Sequence, residues 1–179
     1  MQPRPMFTIG HSTRSFDELA DLLRANGVEL LADVRTYPGS RRMPHFGKAS
    51  LEQSLPARGI DYVHLPGLGG LRKPRPDSIN SGLRNVGFRG YADYMQTDAF
   101  RLAIAELERC ATEKCVAVMC AEAVPWRCHR SLLADALTVN GHDVMHITGK
   151  SAPARHSLTP SAHVDNGRIT YPPPDTLAI

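Results

Sequence analysis

The chain has 179 residues, enough for one domain with a sizeable core and thin for two. Hydrophobic residues make up 42% and charged residues 22%, which excludes a disordered or collagen-like polymer, and no apolar run approaches the ~20 residues of a membrane span. The net charge of +3 conceals an asymmetry: ten basic residues against Glu52, Asp61 and Asp77 give the 35–89 segment +7 and leave −4 elsewhere.

Met1-Gln2-Pro3-Arg4-Pro5 leads directly into a strand-like run, Met6-Phe7-Thr8-Ile9, ended by Gly10. With no long apolar stretch ahead of it, no signal peptide is expected, and a reducing cytoplasmic setting follows as the expectation. Ser15 and Glu18 form a capping box ahead of an apolar stripe at Leu19, Leu22 and Leu23, and Gly27 stops that helix. Leu30 to Val34 is the next strand; two strands joined by one helix make a parallel unit with a right-handed crossover. Residues 37–47 turn to Pro, Gly, Arg and His and read as a loop. Ser50 and Gln53 form a second capping box, for a short helix curtailed by Pro56 and Gly59. Ile60 to Leu65 is a third strand, followed by Pro66-Gly67-Leu68-Gly69-Gly70, and residues 71–90 read as a long irregular excursion, more often functional than idle. Tyr91 to Cys110 reads as one helix with Phe100, Ile104 and Leu107 on a common face. Cys115 to Cys120 is nearly all apolar, the pattern of a central parallel strand buried on both faces. Leu132, Leu133, Ala136 and Leu137 mark the next helix, closed by Asn140-Gly141, and Val144 to Thr148 is a fifth strand. Asn166-Gly167 predicts a two-residue hairpin turn, and Pro172-Pro173-Pro174 an extended tail. The expectation is an α/β fold. It takes the form of a single three-layer domain over residues 1–179, with a mainly parallel sheet of about five strands over 6–149 and a short C-terminal hairpin or extended tail over 150–179.

Ligands of open α/β sheets bind beyond the carboxyl ends of the strands, near a switch in strand order. Reactive residues gather there: His11 and Ser12 after the first strand, Asp33 and Arg35 after the second, and Gly69 and Gly70 after the third. Cys120 and Glu122 follow the fourth strand, and Cys128-His129-Arg130-Ser131 opens the next helix. A cysteine leaving a strand ahead of an arginine at a helix N-terminus is how cysteine-dependent phosphatases and rhodanese-type sulfurtransferases hold an oxyanion. Nine residues separate Cys120 from Arg130, however, and six separate it from Arg127, longer than a single tight cradle. Cys120 is therefore either a reactive thiol or a small apolar residue at a strand end. Cys128, placed in the first turn of a helix opening near Trp126, is the second candidate thiol or a packing residue. Glu122 reads as a salt-bridge partner of Arg130, a helix-end cap or a general base, and His11 as a proton shuttle or ligand. Asp33 orients Arg35 or His11, or serves as a structural acceptor. The aromatics of 37–46, interleaved with Arg41, Arg42 and His45, suit stacking plus phosphate contact, and Gly69-Gly70 offers backbone amides or simply a turn. The four cysteines lie within nineteen residues, without the spread of a disulfide framework and without CxxC or HxxxH spacing. On a helix Cys128 and His129 would diverge, which leaves Cys120, Cys128 and His11 as a set that could share an ion, and without a metal-ligand spacing neither a metal nor a cofactor is expected.

Several of these stretches form a recognisable set: Thr8-Ile9-Gly10-His11-Ser12, Asp33-Val34-Arg35 with Pro38 and Ser40-Arg41, Gly59-Ile60 with Leu68-Gly69-Gly70, and Cys120-Ala121-Glu122 followed by Cys128-His129-Arg130. Together they resemble the uncharacterised domain-of-unknown-function family 488, over roughly residues 6–149. The resemblance implies a compact α/β domain and a shared site at the strand ends, and supplies no reaction. The layout of Val116 to Gly149 is also distantly similar to rhodanese-like domains.

The expected function is a small enzyme acting on an anionic, phosphate-bearing or nucleotide-like substrate. Cys120, Glu122, Cys128 and His11 would carry the chemistry, and Ser12, Asp33, Arg35, Arg41, Gly69, Gly70, His129 and Arg130 would bind. The alternative is a non-catalytic module that binds nucleic acid or nucleotide through the basic 35–89 segment and loses affinity steeply with salt. A protein-interaction domain using the 71–90 loop is the third reading. No membrane partner is expected.

Overall fold

A computed structural model describes residues 4–174; the leader reading of Met1 to Pro3 and the end of the expected tail, 175–179, lie outside the described residues. Five strands run parallel: Met6–Gly10 (β1), Leu30–Asp33 (β2), Asp61–His64 (β3), Val116–Cys120 (β4) and Val144–Ile147 (β5). Ala154–Arg155 (β6) pairs antiparallel with β5, and the sheet order is β3-β2-β4-β1-β5-β6. The apolar run of β4 takes the central place it predicts, hydrogen-bonded to β2 on one side and β1 on the other.

The period of two along the strands sends side chains to two separate cores. Phe7, Ile9, Leu31, Ala117 and Met119 meet Leu19, Leu22 and Leu23 of helix Phe16–Ala25 (α1) and Leu51 of helix Lys48–Ser54 (α2). On the opposite face Met6, Leu30, Ala32, Val116, Val118 and Cys120 meet helices Val86–Tyr94 (α3), Asp98–Glu113 (α4) and Arg130–Val139 (α5). Helices therefore cover both faces of the sheet, in three layers. His163–Asp165 (β7) and Arg168–Thr170 (β8) form the C-terminal hairpin. Its turn residues Asn166 (φ 48°) and Gly167 (φ 77°) are both left-handed, as the two-residue hairpin turn requires. Ile169 and Tyr171 carry the hairpin into the α3–α5 core. Among the described residues no helix is long and apolar enough to cross a membrane.

Several local expectations change. Ser15 caps α1 as read, accepting from the Glu18 amide, whereas Ser50 lies inside α2 and donates to the Pro44 carbonyl, leaving Gly47 at the N-cap. The excursion after Gly70 ends at Asn85, whose side chain accepts from the Phe88 amide and starts α3 five residues before Tyr91. The single helix expected from Tyr91 to Cys110 is two helices, because the Thr97 hydroxyl accepts from the Phe100 amide and starts α4 afresh. The edge strand β6 went unread because two residues carry no periodicity.

Candidate active site

Strand order creates the site. The chain leaves β1 and β2 toward α1 and α2 on one face, and leaves β4, which lies between them, toward α5 on the other. Successive connections part over the end of β4, the switch point at which open α/β sheets form a crevice. Cys120 is the last residue of β4, and the His11 and Ser12 amides donate to the Cys120 and Ala121 carbonyls, extending the β1 pairing into the loop. Gly10 is required there: a Cβ would lie 1.6 Å from the Glu122 carbonyl oxygen.

Cys128 is not in a helix. A 3-10 turn at Pro125–Arg127 precedes it, its own backbone is extended (φ −129°, ψ 145°), and α5 starts at Arg130. This overturns the reason for expecting Cys128 and His129 to diverge. The His129 Nδ1 atom lies 3.7 Å from Cys128 Sγ and 4.0 Å from Cys120 Sγ, and one ligand atom from each of the three residues falls within 4.8 Å of the others. His129 is held from two sides, with the Tyr91 ring 4.9 Å away and Gly70 so close that a Cβ would sit 2.3 Å from Nδ1. The two thiols face each other within 4.8 Å, and that proximity makes the first proton easier to lose and the second harder: Cys120 moves down, helped by His129, and Cys128 moves up.

Arg130 is 1% exposed, and the expected salt bridge to Glu122 does not form. Its Nη2 donates instead to the backbone carbonyls of Glu122 (3.0 Å) and Ala123 (3.4 Å), while the Glu122 side chain is exposed. Nε and Nη1 have no hydrogen-bond partner among the described residues. Burial lowers the pKa of this guanidinium, opposed by the nearby thiols of Cys128 and Cys120. Arg130 is thus a buried positive charge beside the sulfurs, one that does not line the cavity and does not grip a ligand from it.

The other expected residues divide. Asp33 orients Arg35 as read, accepting from its Nε (2.9 Å), Nη2 (2.6 Å) and backbone amide, and also from Tyr62 Oη (2.7 Å). Arg35 Nη2 also reaches the Phe46 carbonyl, and Nη1 lies 3.2 Å from His11 Nε2. Because arginine only donates, His11 Nε2 accepts, and Nδ1–H goes to the Ser12 carbonyl at 2.9 Å. Burial lowers the pKa of this ring, which stacks on Phe46 at 4.5 Å, and Arg35 lowers it further against the Ser12 bond. Arg35 reaches the cavity wall already engaged by a carboxylate, while His11, Ser12 and Asp33 do not line the cavity. Arg41 is exposed and outside the site, and Gly69 packs against Thr36.

Above the cluster lies a cavity of about 390 Å³, within the size range of small-molecule sites. Cys120, Cys128 and His129 form part of its lining, with Glu122 and Arg127 at the rim and Tyr37, Leu71 and Phe88 as apolar walls. Asn85, Gly87 and Phe88, at the start of α3, were missed as site residues; Asn85 ahead of an apolar residue was the available signal.

Sequence reasoning also missed a buried relay outside the cavity. Thr8 Oγ1 meets His146 Nδ1 at 2.7 Å, His146 Nε2 meets His156 Nδ1 at 2.9 Å, and His156 Nε2 meets Asp135 Oδ1 at 2.7 Å. The Thr159 amide and Tyr171 Oη also donate to Asp135. Its members come from β1, α5, β5 and the segments after β6 and β8, so no local pattern announces them.

The family described as "Domain of unknown function DUF488" matches residues 15–137, a span that includes Asp33, Arg35, Gly70, Cys120, Cys128, His129 and Arg130 and stops short of β1 and β5. No curated protein and no solved structure matches the chain.

Proposed function

The chain belongs to the DUF488 family, and from its site we propose that it is an enzyme acting on a small anionic, phosphate-bearing or nucleotide-like molecule bound at the carboxyl end of β4. The observation that carries this reading is the convergence of Cys120, Cys128 and His129 under a cavity, with buried, carboxylate-free Arg130 at their side. Desolvating a guanidinium without a carboxylate is costly, and such a cost is characteristic of sites where an anion develops or binds. The reacting centre is the sulfur–imidazole cluster. Arg130 acts through the sulfurs as a positioned charge, and exposed Arg127 at the rim meets the substrate's anionic group. Tyr37 and Phe88 offer the apolar faces that a base or other flat ring requires.

The competing nucleic-acid reading loses support from the fate of the basic segment. Arg35, Lys48, Arg58 and Arg75 are ion-paired, and Arg72 and Arg89 are turned to backbone carbonyls. Arg41, Arg42, Lys73 and Arg84 are exposed without an ion-pair partner among the described residues, too few for a continuous phosphate track.

Calorimetric titration with inorganic phosphate and with a nucleoside monophosphate tests the reading. Saturable binding that Arg127→Ala weakens roughly tenfold or more, the loss of one charge-assisted contact, is the expected result. Absence of binding by both ligands to the folded, reduced protein overturns it.

A further inference from the structure

We propose that Cys120, Cys128 and His129 hold a single zinc ion through Sγ, Sγ and Nδ1, leaving a fourth coordination position for water or a substrate oxygen. The inference deepens the proposed function by naming the reacting group, and it rests on the same cavity.

Zinc takes Cys sulfur at about 2.3 Å and His nitrogen at about 2.0–2.1 Å in tetrahedral geometry. Those lengths and the tetrahedral angle place a sulfur and a nitrogen roughly 3.6 Å apart and two sulfurs roughly 3.8 Å apart. His129 Nδ1 stands 3.7 Å and 4.0 Å from the two sulfurs, and the three ligand atoms all lie within 4.8 Å of one another. The two sulfur–nitrogen sides therefore lie within a few tenths of an ångström of the tetrahedral value before any ion enters, and the sulfurs are within 4.8 Å of each other. Two thiolates and an imidazole are a soft donor set that suits zinc rather than magnesium or calcium.

The surroundings position the ligands, although His129 Nε2 has no hydrogen-bond partner among the described residues. Gly70 and Tyr91 hold the imidazole, so the ligand that would otherwise rotate is placed in advance. The extended backbone of Cys128 lets two consecutive residues aim at one point, which explains how a site arises without CxxC or HxxxH spacing. All three residues line the cavity, and three protein ligands with an open position are the composition of catalytic rather than structural zinc. Charge balance accounts for Arg130. Two thiolates neutralise the dication, so a hydroxide or anionic substrate oxygen in the fourth position leaves one negative charge, opposite a buried guanidinium that has no carboxylate.

The test is metal analysis of the full chain, purified under reducing conditions and loaded with zinc or cobalt. One zinc per chain is expected, and cobalt should give the intense thiolate charge-transfer and tetrahedral visible bands. Cys128→Ser and His129→Gln should each weaken zinc binding by more than about a hundredfold, beyond the loss of an outer-shell partner. Cys110→Ser, on α4 away from the cluster, should leave it unchanged. Circular dichroism checks that each variant is folded, and the wild-type stoichiometry stands even where a variant is not. Reduced, folded wild type that takes up no zinc at micromolar concentration overturns the inference, as does zinc uptake that survives both ligand substitutions in folded protein. Phosphate or nucleotide binding without zinc would remove the metal and leave the proposed function standing, whereas zinc binding with an inert cavity would do the reverse.

Discussion

Replacing His146 with glutamine takes a titrating ring out of the middle of the buried relay and should flatten the acid side of the stability curve. With His146 neutral, its two ring nitrogens each make one hydrogen bond, Nδ1 with the Thr8 hydroxyl and Nε2 with His156 Nδ1, while the Asp135 carboxylate accepts from His156 Nε2–H. Burial first, then His156 and Arg130, push the His146 pKa from the ordinary 6.5 down to about 4. Between those values the unfolded chain binds a proton that the folded protein refuses. Stability therefore rises with pH across this window, is complete above 6.5 and is lost as the pH falls toward 4. At about 1.36 kcal/mol per pH unit the ring contributes about 3 kcal/mol, or roughly 6–12 °C of melting temperature for a chain of this length. Urea denaturation of wild type and His146→Gln at several pH values across the window reads the effect directly. The hydrogen bonds lost to Thr8 and His156 add an offset that does not alter the slope, and carboxylates common to both proteins cancel. Parallel stability curves would refute the neutral-ring relay.

Tyr171→Phe removes one of the three donors to Asp135 without changing volume, and should cost about 1.5–3 kcal/mol in chemical denaturation. The loss should shrink in an Asp135→Ala background, where no carboxylate is left unpaired. Gly10→Ala drives a Cβ into the Glu122 carbonyl, backbone against backbone, and should destabilise by about 1–3 kcal/mol or more in the same assay. Gly70→Ala drives a Cβ into the buried His129 ring, which Tyr91 holds from the other side, and should both lower the melting temperature and displace the ring from the sulfurs, seen as weakened cobalt bands.

The parallel sheet was legible because its strands are short apolar runs separated by capped helices, and β4, buried on both faces, gave the clearest signal of all. The positions His11, Arg35, Gly70 and Cys120 were legible as strand ends, since topology alone brings those ends together. Their partners were not. Whether Arg130 faces a carboxylate or a carbonyl depends on the path of residues 121–125, and whether Cys128 and His129 converge depends on a 3-10 turn that delays α5 to Arg130. Charge counting overread the 35–89 segment for a similar reason: partners such as Asp17, distant in sequence, lie next to Arg58 in space. The relay through His146 and His156 joins residues up to 138 positions apart, beyond the reach of any local pattern.

The position of β4 between β1 and β2 bears on how the molecule can be cut. The family match begins at residue 15 and ends at 137, so it omits both β1 and β5. A fragment trimmed to those boundaries would expose one whole edge of β4, the strand that delivers Cys120, and would strip away Gly10, against which the 120–123 turn is pressed. It would also lose Tyr171 and His156, the two side chains that tether Asp135 of α5. The stretch most diagnostic of kinship is therefore smaller than the unit that can fold, and expression boundaries belong outside the hairpin rather than at the ends of the recognisable motif.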